Sequence, residues 1–149
     1  VNGGKAAPRG QIASNRAKIG QTEVSLGLIP GAGGTQRLVR LIGLAKAKEL
    51  VLLGSRLTAD EAHAIGLVTK AVDNEVFQAT VREFAEKIAK GPPIALRLAK
   101  YLVNRAMDMP LDSALEAEAA AFGLVTSTED IFEGIQAFME KREPKFKGE

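Results

Sequence analysis

The chain has 149 residues, a length typical of a single domain that can bury a sizeable core. Hydrophobic residues make up 46% and charged residues 26%, as in ordinary globular proteins, and a net charge of +2 gives no sign of general nucleic-acid binding. Cysteine is absent and histidine occurs once, which excludes disulfides, thiolate nucleophiles and metal sites built on several Cys or His ligands.

The distribution of apolar residues argues against a membrane protein. No apolar run reaches the roughly 18–20 residues that are needed to cross a bilayer. The absence of cysteine fits a reducing compartment, so we expect a cytoplasmic location. We therefore expect neither a membrane nor a nucleic acid among the partners of the chain.

The first part of the chain alternates between loops and short elements. Residues 1–10 contain Gly, Pro and Lys without periodicity and are predicted to form a loop. Val24, Leu26 and Leu28 alternate with smaller residues, which predicts a short strand or an extended stretch. The glycine-rich segment PGAGG follows, and Thr35 is predicted to cap a short helix after it.

The remainder of the chain is predicted to be mostly helical. Thr58 with Glu61 three residues later matches a capping box, which marks the start of a helix. The spacing of apolar residues and the positions of Gly and Pro predict further helices at residues 45–53, 75–90, 93–107, 111–125 and 128–142. At most two or three short strands are expected, one of them within residues 67–72.

The most informative segment runs from Glu23 to Gly43 and reads EVSLGLIPGAGGTQRLVRLIG. Its glycine loop leads into a helix, whose first turn carries free backbone N–H groups that attract negative charge. The loop is not a Walker loop, because no Lys-Ser/Thr pair follows the glycines, and it lacks the third glycine of the dinucleotide fingerprint. Taken alone, a plain tight turn is the simpler interpretation.

Several motifs, in order along the chain, resemble the enoyl-CoA hydratase/isomerase (crotonase) family. They are the segment from Ile12 to Gln21, the glutamate with LGLIPGAGGTQRL, then residues 49–54 with ADEAHAIGLV, and finally FMEKREPKF, so the resemblance runs from Ile12 to the end. It implies a fold that is α/β by ancestry, the crotonase-like spiral of ββα turns followed by a helical trimerisation region. We therefore expect a mostly α chain, with the C-terminal part of the spiral core in residues 1–72 and a helical oligomerisation and CoA-contact region in residues 73–149.

The resemblance also implies an activity, the reversible hydration of a 2-enoyl-CoA thioester. Glu23 matches the second of the family's two catalytic glutamates, which exchanges a proton with a substrate carbon. In the glycine loop, Gly31 and Gly33 are the candidates for substrate or CoA binding. Phe138 and Lys141 match positions that hold the adenine and phosphate of CoA. No metal and no separate cofactor are implied, since CoA is part of the substrate.

Plain structural interpretations remain beside each of these assignments. Without the resemblance, Glu23 would be an exposed charge at the start of a strand, since glutamate is mostly exposed in proteins. Phe138 would be a packed aromatic residue, and Lys141 a solvated lysine on an amphipathic helix. The family assignment rests on several spaced motifs, whereas each residue role rests on one position.

The first residues depart from the family pattern. The first catalytic glutamate and the oxyanion-hole glycine belong to a segment that residues 4–10 do not match, and no glutamate precedes Glu23. We therefore expect a truncated form that lacks part of the active site. Two alternatives stay open, a non-catalytic oligomerisation module derived from the family and an enoyl-CoA isomerase. The expected partners are an acyl-CoA substrate and further copies of the chain, in trimers or hexamers.

Overall fold

The computed structural model describes residues 11–149, a mostly helical stretch of chain. Its contacts divide the chain into two units between Arg82 and Glu83. The first unit contains β1 (Ile12–Ser14), β2 (Lys18–Gly20), a 3₁₀-helix (Glu23–Leu26), α1 (Gly34–Ile42), α2 (Leu44–Leu53), β3 (Arg56–Thr58), α3 (Ala59–Ala64) and β4 (Lys70–Val72). Helix α4 (Asn74–Ala89) crosses the division, and the second unit continues with α5 (Pro93–Arg105), α6 (Leu111–Val125) and α7 (Glu129–Glu140).

Two small sheets connect distant parts of the first unit. Strand β1 pairs in parallel with β4, with Ile12 opposite Lys70, and β2 pairs antiparallel with β3, with Ile19 opposite Leu57. A parallel pair cannot be joined by a tight turn and needs a long crossover connection. Here the connection contains the glycine loop and helices α1 to α3.

The side chain of Asn15 extends the β1–β4 pairing past the last strand residues. Its Nδ2 donates to Asp73 Oδ1 at 2.8 Å, and its Oδ1 accepts from the backbone N–H of Asn74 at 3.2 Å. Its own backbone N–H donates to Val72 O at 2.8 Å. Because Asn15 both donates and accepts, it fixes the register at this end of the pair.

The apolar core of the first unit consists of two clusters. The first comprises the buried residues Ala13, Ala59, Ala62 and Val68, and the second comprises Leu38, Ala47 and Leu50. Leu57 and Leu67 pack against both clusters and so join them. On α2, Ala47 and Leu50 are three residues apart and therefore lie on the same face of the helix. Leu50 is only 1% exposed.

Helix α3 begins with the capping box that the sequence predicts. The backbone N–H of Glu61 donates to Thr58 Oγ1 at 3.2 Å, and the backbone N–H of Thr58 donates to Glu61 Oε2 at 2.7 Å. The bond from the Thr58 backbone N–H is the main cause that lowers the pKa of Glu61 below its ordinary value of 4.5. The prediction of this helix start is confirmed.

The second unit buries few side chains. Those that are buried are Ala121, Thr128, Asp130 and Ala137, so its buried apolar residues are both alanines. Pro93 occupies the first turn of α5, where its missing N–H would have had no helical partner. The second unit is therefore stabilised by buried alanines and by hydrogen bonds of polar side chains more than by large buried apolar side chains.

Asp130 holds the C-terminal segment against α7. Its two carboxylate oxygens accept hydrogen bonds from the backbone N–H groups of Lys147 at 2.7 Å and Gly148 at 2.9 Å. In return, the backbone N–H of Glu129 at the start of α7 donates to Glu149 O at 2.7 Å. The last residues and the first turn of α7 thus satisfy each other's backbone groups.

A second acidic residue of α7 anchors the same segment. Glu133 accepts two hydrogen bonds from the guanidinium of Arg142, at 2.7 and 2.8 Å, and one from the backbone N–H of Lys145 at 2.6 Å. The Arg142 bonds, followed by the Lys145 bond, lower the pKa of Glu133 from 4.5 to about 2. The bonds from Arg142 to Glu133, followed by its bond to Glu140, raise the pKa of Arg142 above its ordinary value.

Three predictions in the first unit are wrong. The short strand or extended stretch predicted from Val24, Leu26 and Leu28 is instead a 3₁₀-helix at Glu23–Leu26, because the backbone of Gly27 turns the chain and its N–H bonds to Val24 O at 3.1 Å. Helix α1 begins at Gly34, and Gly33 rather than Thr35 occupies its N-cap position. The described residues also form four short strands, not two or three.

In the second unit, the start of α7 is predicted correctly but for a different reason. Thr128 occupies the N-cap position, yet its hydroxyl does not cap the helix. The hydroxyl instead donates to Val125 O at 2.8 Å, at the end of α6. Thr128 therefore stabilises the end of the preceding helix.

The predicted fold class, an α/β ancestry with mostly helical content, agrees with seven α-helices and four three-residue strands in residues 11–149. The predicted organisation into residues 1–72 and 73–149 stays a prediction. Residues 1–10, predicted to be loop, lie outside the described residues. Within the described range, no helix combines the length and apolar character that a membrane span requires.

Candidate functional site

Glu23 is the first residue of the 3₁₀-helix in the first unit. The turn is closed by Gly27, which has the left-handed backbone conformation (φ 71°, ψ 20°) that favours glycine. The carbonyl of Glu23 accepts from the backbone N–H of Leu28 at 3.1 Å. The local backbone bonds therefore fix the position from which the glutamate side chain extends.

The carboxyl group of Glu23 is placed unusually for a charged side chain. The residue as a whole is half-buried, and its Oε2 atom is fully buried without a hydrogen-bond partner among the described residues. A buried polar atom without a partner loses its hydration and gains nothing in exchange, at a typical cost of about 1–3 kcal/mol. Such atoms are rare, and they are often found at functional sites.

The residues that follow Glu23 present apolar side chains to the surface. Leu26, Leu28 and Ile29 are 79%, 59% and 77% exposed. Within the described residues, these three side chains form an open apolar surface at the end of the turn.

The glycine loop contains two glycines with different structural roles. Gly33 has a positive φ of 82° and its carbonyl accepts from the N–H groups of Gln36 and Arg37, so its backbone conformation starts α1. A Cβ built on Gly31 would meet no atom within 4 Å, and Gly31 has no positive φ. Neither packing nor backbone conformation within the described residues explains why position 31 is glycine.

Sequence reasoning missed the next glycine. A Cβ on Gly34 would collide with the side-chain amide of Gln21 and lie 2.9 Å from Pro30 Cβ. Gln21 therefore packs directly on Gly34, the first residue of α1. In the sequence, the two adjacent glycines at positions 33 and 34 are the one sign that Gln21 and Pro30 approach the backbone here.

Phe138 and Lys141 lie in the second unit, at the end of α7. Phe138 is 85% exposed and lines an apolar groove of about 360 Å³ together with Ile94, Ala95, Val125, Ile131, Ile135 and Phe146. Lys141 ends the helix in the left-handed conformation, with φ 54°. Glu133 and Glu140 pair with Arg142, which leaves the ammonium group of Lys141 outside this ion-pair cluster.

The structure thus places the predicted residues in two groups. Glu23, Gly31 and Gly33 lie in the first unit, and Phe138 and Lys141 lie in the second. In the first group a half-buried carboxyl group stands next to a glycine loop and a helix start, which is suited to proton exchange with a bound molecule. In the second group a flat aromatic ring and a cation are exposed at one helix end, which suits contact with a phosphorylated, aromatic ligand.

Comparisons with known proteins point to one family. The family described as enoyl-CoA hydratase/isomerase matches residues 10–149. The short-chain-enoyl-CoA hydratase of Clostridium acetobutylicum is 47% identical over 132 residues, which cover 89% of this chain and 51% of that protein. A short-chain-enoyl-CoA hydratase of Clostridioides difficile is 44% identical, with 86% of this chain and 83% of that protein covered.

Solved structures give the same result for the fold. The crystal structure of the enoyl-CoA hydratase from Bacillus anthracis superposes with a TM-score of 0.91 at 47% identity, over 94% of this chain and 54% of that one. The chain thus spans about half the length of the Bacillus anthracis and Clostridium acetobutylicum proteins. Sequence and fold agree over nearly all of the described residues, and the chain belongs to the enoyl-CoA hydratase/isomerase family as the C-terminal part of its crotonase spiral.

Proposed function

We propose that the chain carries the proton-transfer glutamate of an enoyl-CoA hydratase, which reversibly adds water to a 2-enoyl-CoA thioester. This proposal rests on the Oε2 atom of Glu23, which is buried and has no hydrogen-bond partner within residues 11–149. An oxygen in this state gains most from a partner that arrives with the substrate. The names of the hydratases from Clostridium acetobutylicum and Syntrophomonas wolfei, at 47% and 46% identity, support hydration as the reaction.

The proposed chemistry places one proton on one carbon. Hydration adds a hydroxyl group to the β-carbon and a proton to the α-carbon, while the thioester oxygen becomes enolate-like in between. In this direction Glu23 gives its proton to the α-carbon, and its carboxylate takes up the proton that the attacking water loses as its oxygen bonds to the β-carbon. The reverse direction retraces the same transfers. Proton transfer of this kind typically contributes a factor of about 10²–10⁴ to the rate.

The substrate proposal extends to the other predicted residues. Gly31 and Gly33 let the backbone of the loop approach the acyl-thioester part of the substrate, and position 31 has no other steric reason to be glycine. Phe138 and Lys141 contact the adenine and phosphate of CoA, which suits an exposed ring next to an exposed ammonium group. The reaction needs no separate cofactor, since CoA is part of the substrate.

Hydration of crotonyl-CoA, followed by the loss of its ultraviolet absorbance, tests the role of Glu23. We expect Glu23→Gln to lower kcat by about 10²–10⁴-fold, because the amide cannot exchange the proton. Glu83→Gln, at an exposed glutamate of α4, is the matched control and keeps the activity of the parent chain. The proposal fails if the parent chain does not hydrate crotonyl-CoA or if Glu23→Gln is as active as the control.

The exposed apolar residues of the second unit favour a second candidate, a non-catalytic oligomerisation module. Phe122, Phe132 and Met139 are 69%, 67% and 74% exposed on α6 and α7. Apolar surface of this kind is typical of an interface, and we propose homo-oligomers, trimers or hexamers, for either candidate. Analytical ultracentrifugation with the hydration assay separates the two, since the module predicts an oligomer without turnover.

Two finer assignments are proposals as well. An isomerase would use the same glutamate to move a proton between two carbons, so assays with 2-enoyl-CoA and 3-enoyl-CoA thioesters distinguish isomerisation from hydration by their products. The proposed location is the cytoplasm, on the basis of the cysteine-free sequence. One relative at 45% identity has a name that places it in mitochondria, so imaging of the tagged protein in cells is the test.

A further inference from the structure

We infer that Gly54 is a positioning residue for Glu23, an inference that rests on the proposed function because it adds a residue to the same site. Gly54 ends α2 in the left-handed conformation (φ 60°, ψ 27°). It is thirty-one positions from the glutamate in the sequence, and no motif described above assigns it a role. Its significance comes from what lies against it.

The end of α2 packs on the turn that carries the glutamate. A Cβ built on Gly54 would lie 3.0 Å from Ser25 Oγ, 3.2 Å from Val24 Cγ2 and 3.7 Å from Thr22 Cα. These three residues flank Glu23 on both sides. The turn therefore occupies the space that any side chain at position 54 would need.

The contact at Val24 cannot be relieved easily. The hydroxyl of Ser25 can rotate away, but valine is branched at Cβ and its χ1 rotamers are restricted. At 3.2 Å, a methyl group on position 54 requires Val24 to move by a few tenths of an ångström. Because Val24 is the next residue after Glu23 in a four-residue 3₁₀-helix, the displacement reaches the backbone of the glutamate.

A small displacement matters at this position because the Oε2 atom of Glu23 is buried and has no hydrogen-bond partner in the part of the chain that the structure describes. No hydrogen bond within the described residues holds Oε2, so its location follows from the backbone of the turn. A misplacement of about 1 Å in a catalytic group can cost about 10²-fold in rate. A shift of a few tenths of an ångström is therefore expected to cost about tenfold or less.

Gly66 provides a matched control in the same unit. It also has a positive φ, 74°, but a Cβ built there would meet no atom within 4 Å. Substitutions at either position strain the backbone, and only those at Gly54 press on the turn of Glu23. The comparison of Gly54→Ala with Gly66→Ala therefore separates steric positioning from general destabilisation.

The experiment uses the chain labelled with ¹³C at the glutamate carboxyl groups. The Glu23 resonance is assigned by its absence in Glu23→Gln. We expect both alanine variants to lower Tm, but only Gly54→Ala to shift this resonance and to lower kcat for crotonyl-CoA by about tenfold or less, with KM unchanged. Gly54→Val is expected to have a larger effect than Gly54→Ala, whereas Gly66→Val resembles Gly66→Ala.

The two readouts separate this inference from the proposed function. An unshifted Glu23 resonance in Gly54→Ala, together with a kcat equal to that of Gly66→Ala, overturns the positioning role. A shifted resonance in a chain that does not hydrate crotonyl-CoA supports the positioning role and removes the hydration proposal instead. If the valine variant does not fold, the alanine pair alone decides.

Discussion

The two units of the chain are stabilised in different ways. The first buries Leu38, Leu50 and Val68 in clusters that also include alanines. The apolar residues buried in the second are Ala121 and Ala137, and many of its large apolar side chains are exposed, among them Leu111, Leu115, Phe122, Leu124, Phe132, Ile135, Phe138 and Met139. Stabilisation by apolar burial grows with the area removed from water, so within the described residues the first unit relies on its core and the second on its polar bonds.

The largest expected effect on stability comes from removing a buried side chain from the core of the first unit. Leu50→Ala should lower the free energy of unfolding by about 2–5 kcal/mol, because it removes a fully buried side chain and leaves a cavity. Leu53→Ala, on the same helix but 69% exposed, should change it by less than about 0.5 kcal/mol. Urea denaturation measures both, and equal losses would contradict the assignment of Leu50 to a core.

The corresponding change in the second unit removes hydrogen bonds of a buried polar side chain. Asp130→Asn should cost about 1–3 kcal/mol, because the amide places a donor opposite the backbone N–H groups of Lys147 or Gly148. Asp112→Asn provides the control, since Asp112 also lies in the first turn of a helix but is exposed. Hydrogen exchange of the Lys147 and Gly148 amides should accelerate in the first variant only. Protection that persists in Asp130→Asn would show that this carboxylate does not hold the segment.

A smaller effect is expected at the helix caps of the first unit. Thr58→Ala should cost about 1 kcal/mol, because it removes the oxygen that accepts from the Glu61 N–H. Thr35→Ala should stay within about 0.5 kcal/mol, since Gly33 occupies the cap of α1. Thermal and urea unfolding of both variants test the comparison. If Thr35→Ala lost more free energy of unfolding than Thr58→Ala, the prediction that Thr35 caps α1 would be supported after all.

The smallest effect is a pH dependence in the second unit. The pKa of Glu133 is lowered from 4.5 to about 2, mainly by its bonds from Arg142. The charged carboxylate therefore stabilises the folded chain above pH 4.5, and this contribution is lost as the pH falls from 4.5 towards about 2. Because the pair is close to solvent, the effect should weaken as salt is added.

Acid unfolding followed by circular dichroism measures this contribution. The stability of the parent chain should fall more steeply over that pH range than the stability of Glu133→Gln, because glutamine does not take up a proton in this range. Glu143→Gln, an exposed neighbour, should keep the steeper profile. Parallel acid profiles for the parent chain and Glu133→Gln would refute the link between Glu133 and the C-terminal segment.

Sequence alone predicted the features that depend on local patterns. The boundaries of α2 and α4 to α7 were predicted within about two residues, because Gly and Pro interrupt clear helical periodicity. The capping box at Thr58 follows from two residues three positions apart. The family motifs also identified Glu23 before its surroundings were known, although its role in catalysis remains a prediction.

What sequence could not predict depends on contacts between distant residues. The alternation of Val24, Leu26 and Leu28 suggests a strand, but a left-handed glycine and backbone bonds make a 3₁₀ turn. Helix α1 begins at Gly34 because Gly33, in the left-handed conformation, occupies its N-cap position, and Gln21 packs closely on Gly34. Likewise, no local pattern shows that Asp130 binds residues 17 and 18 positions later.

The parallel pairing of β1 with β4 has a consequence during synthesis. The side chains at its end, Asn15 and Asp73, are 58 positions apart in the chain. Ribosomes add about 5–20 residues per second, so β1 waits several seconds before its partner exists. During that interval the backbone groups of β1 lack the β4 partner that they bind in the folded chain and are available to other chains.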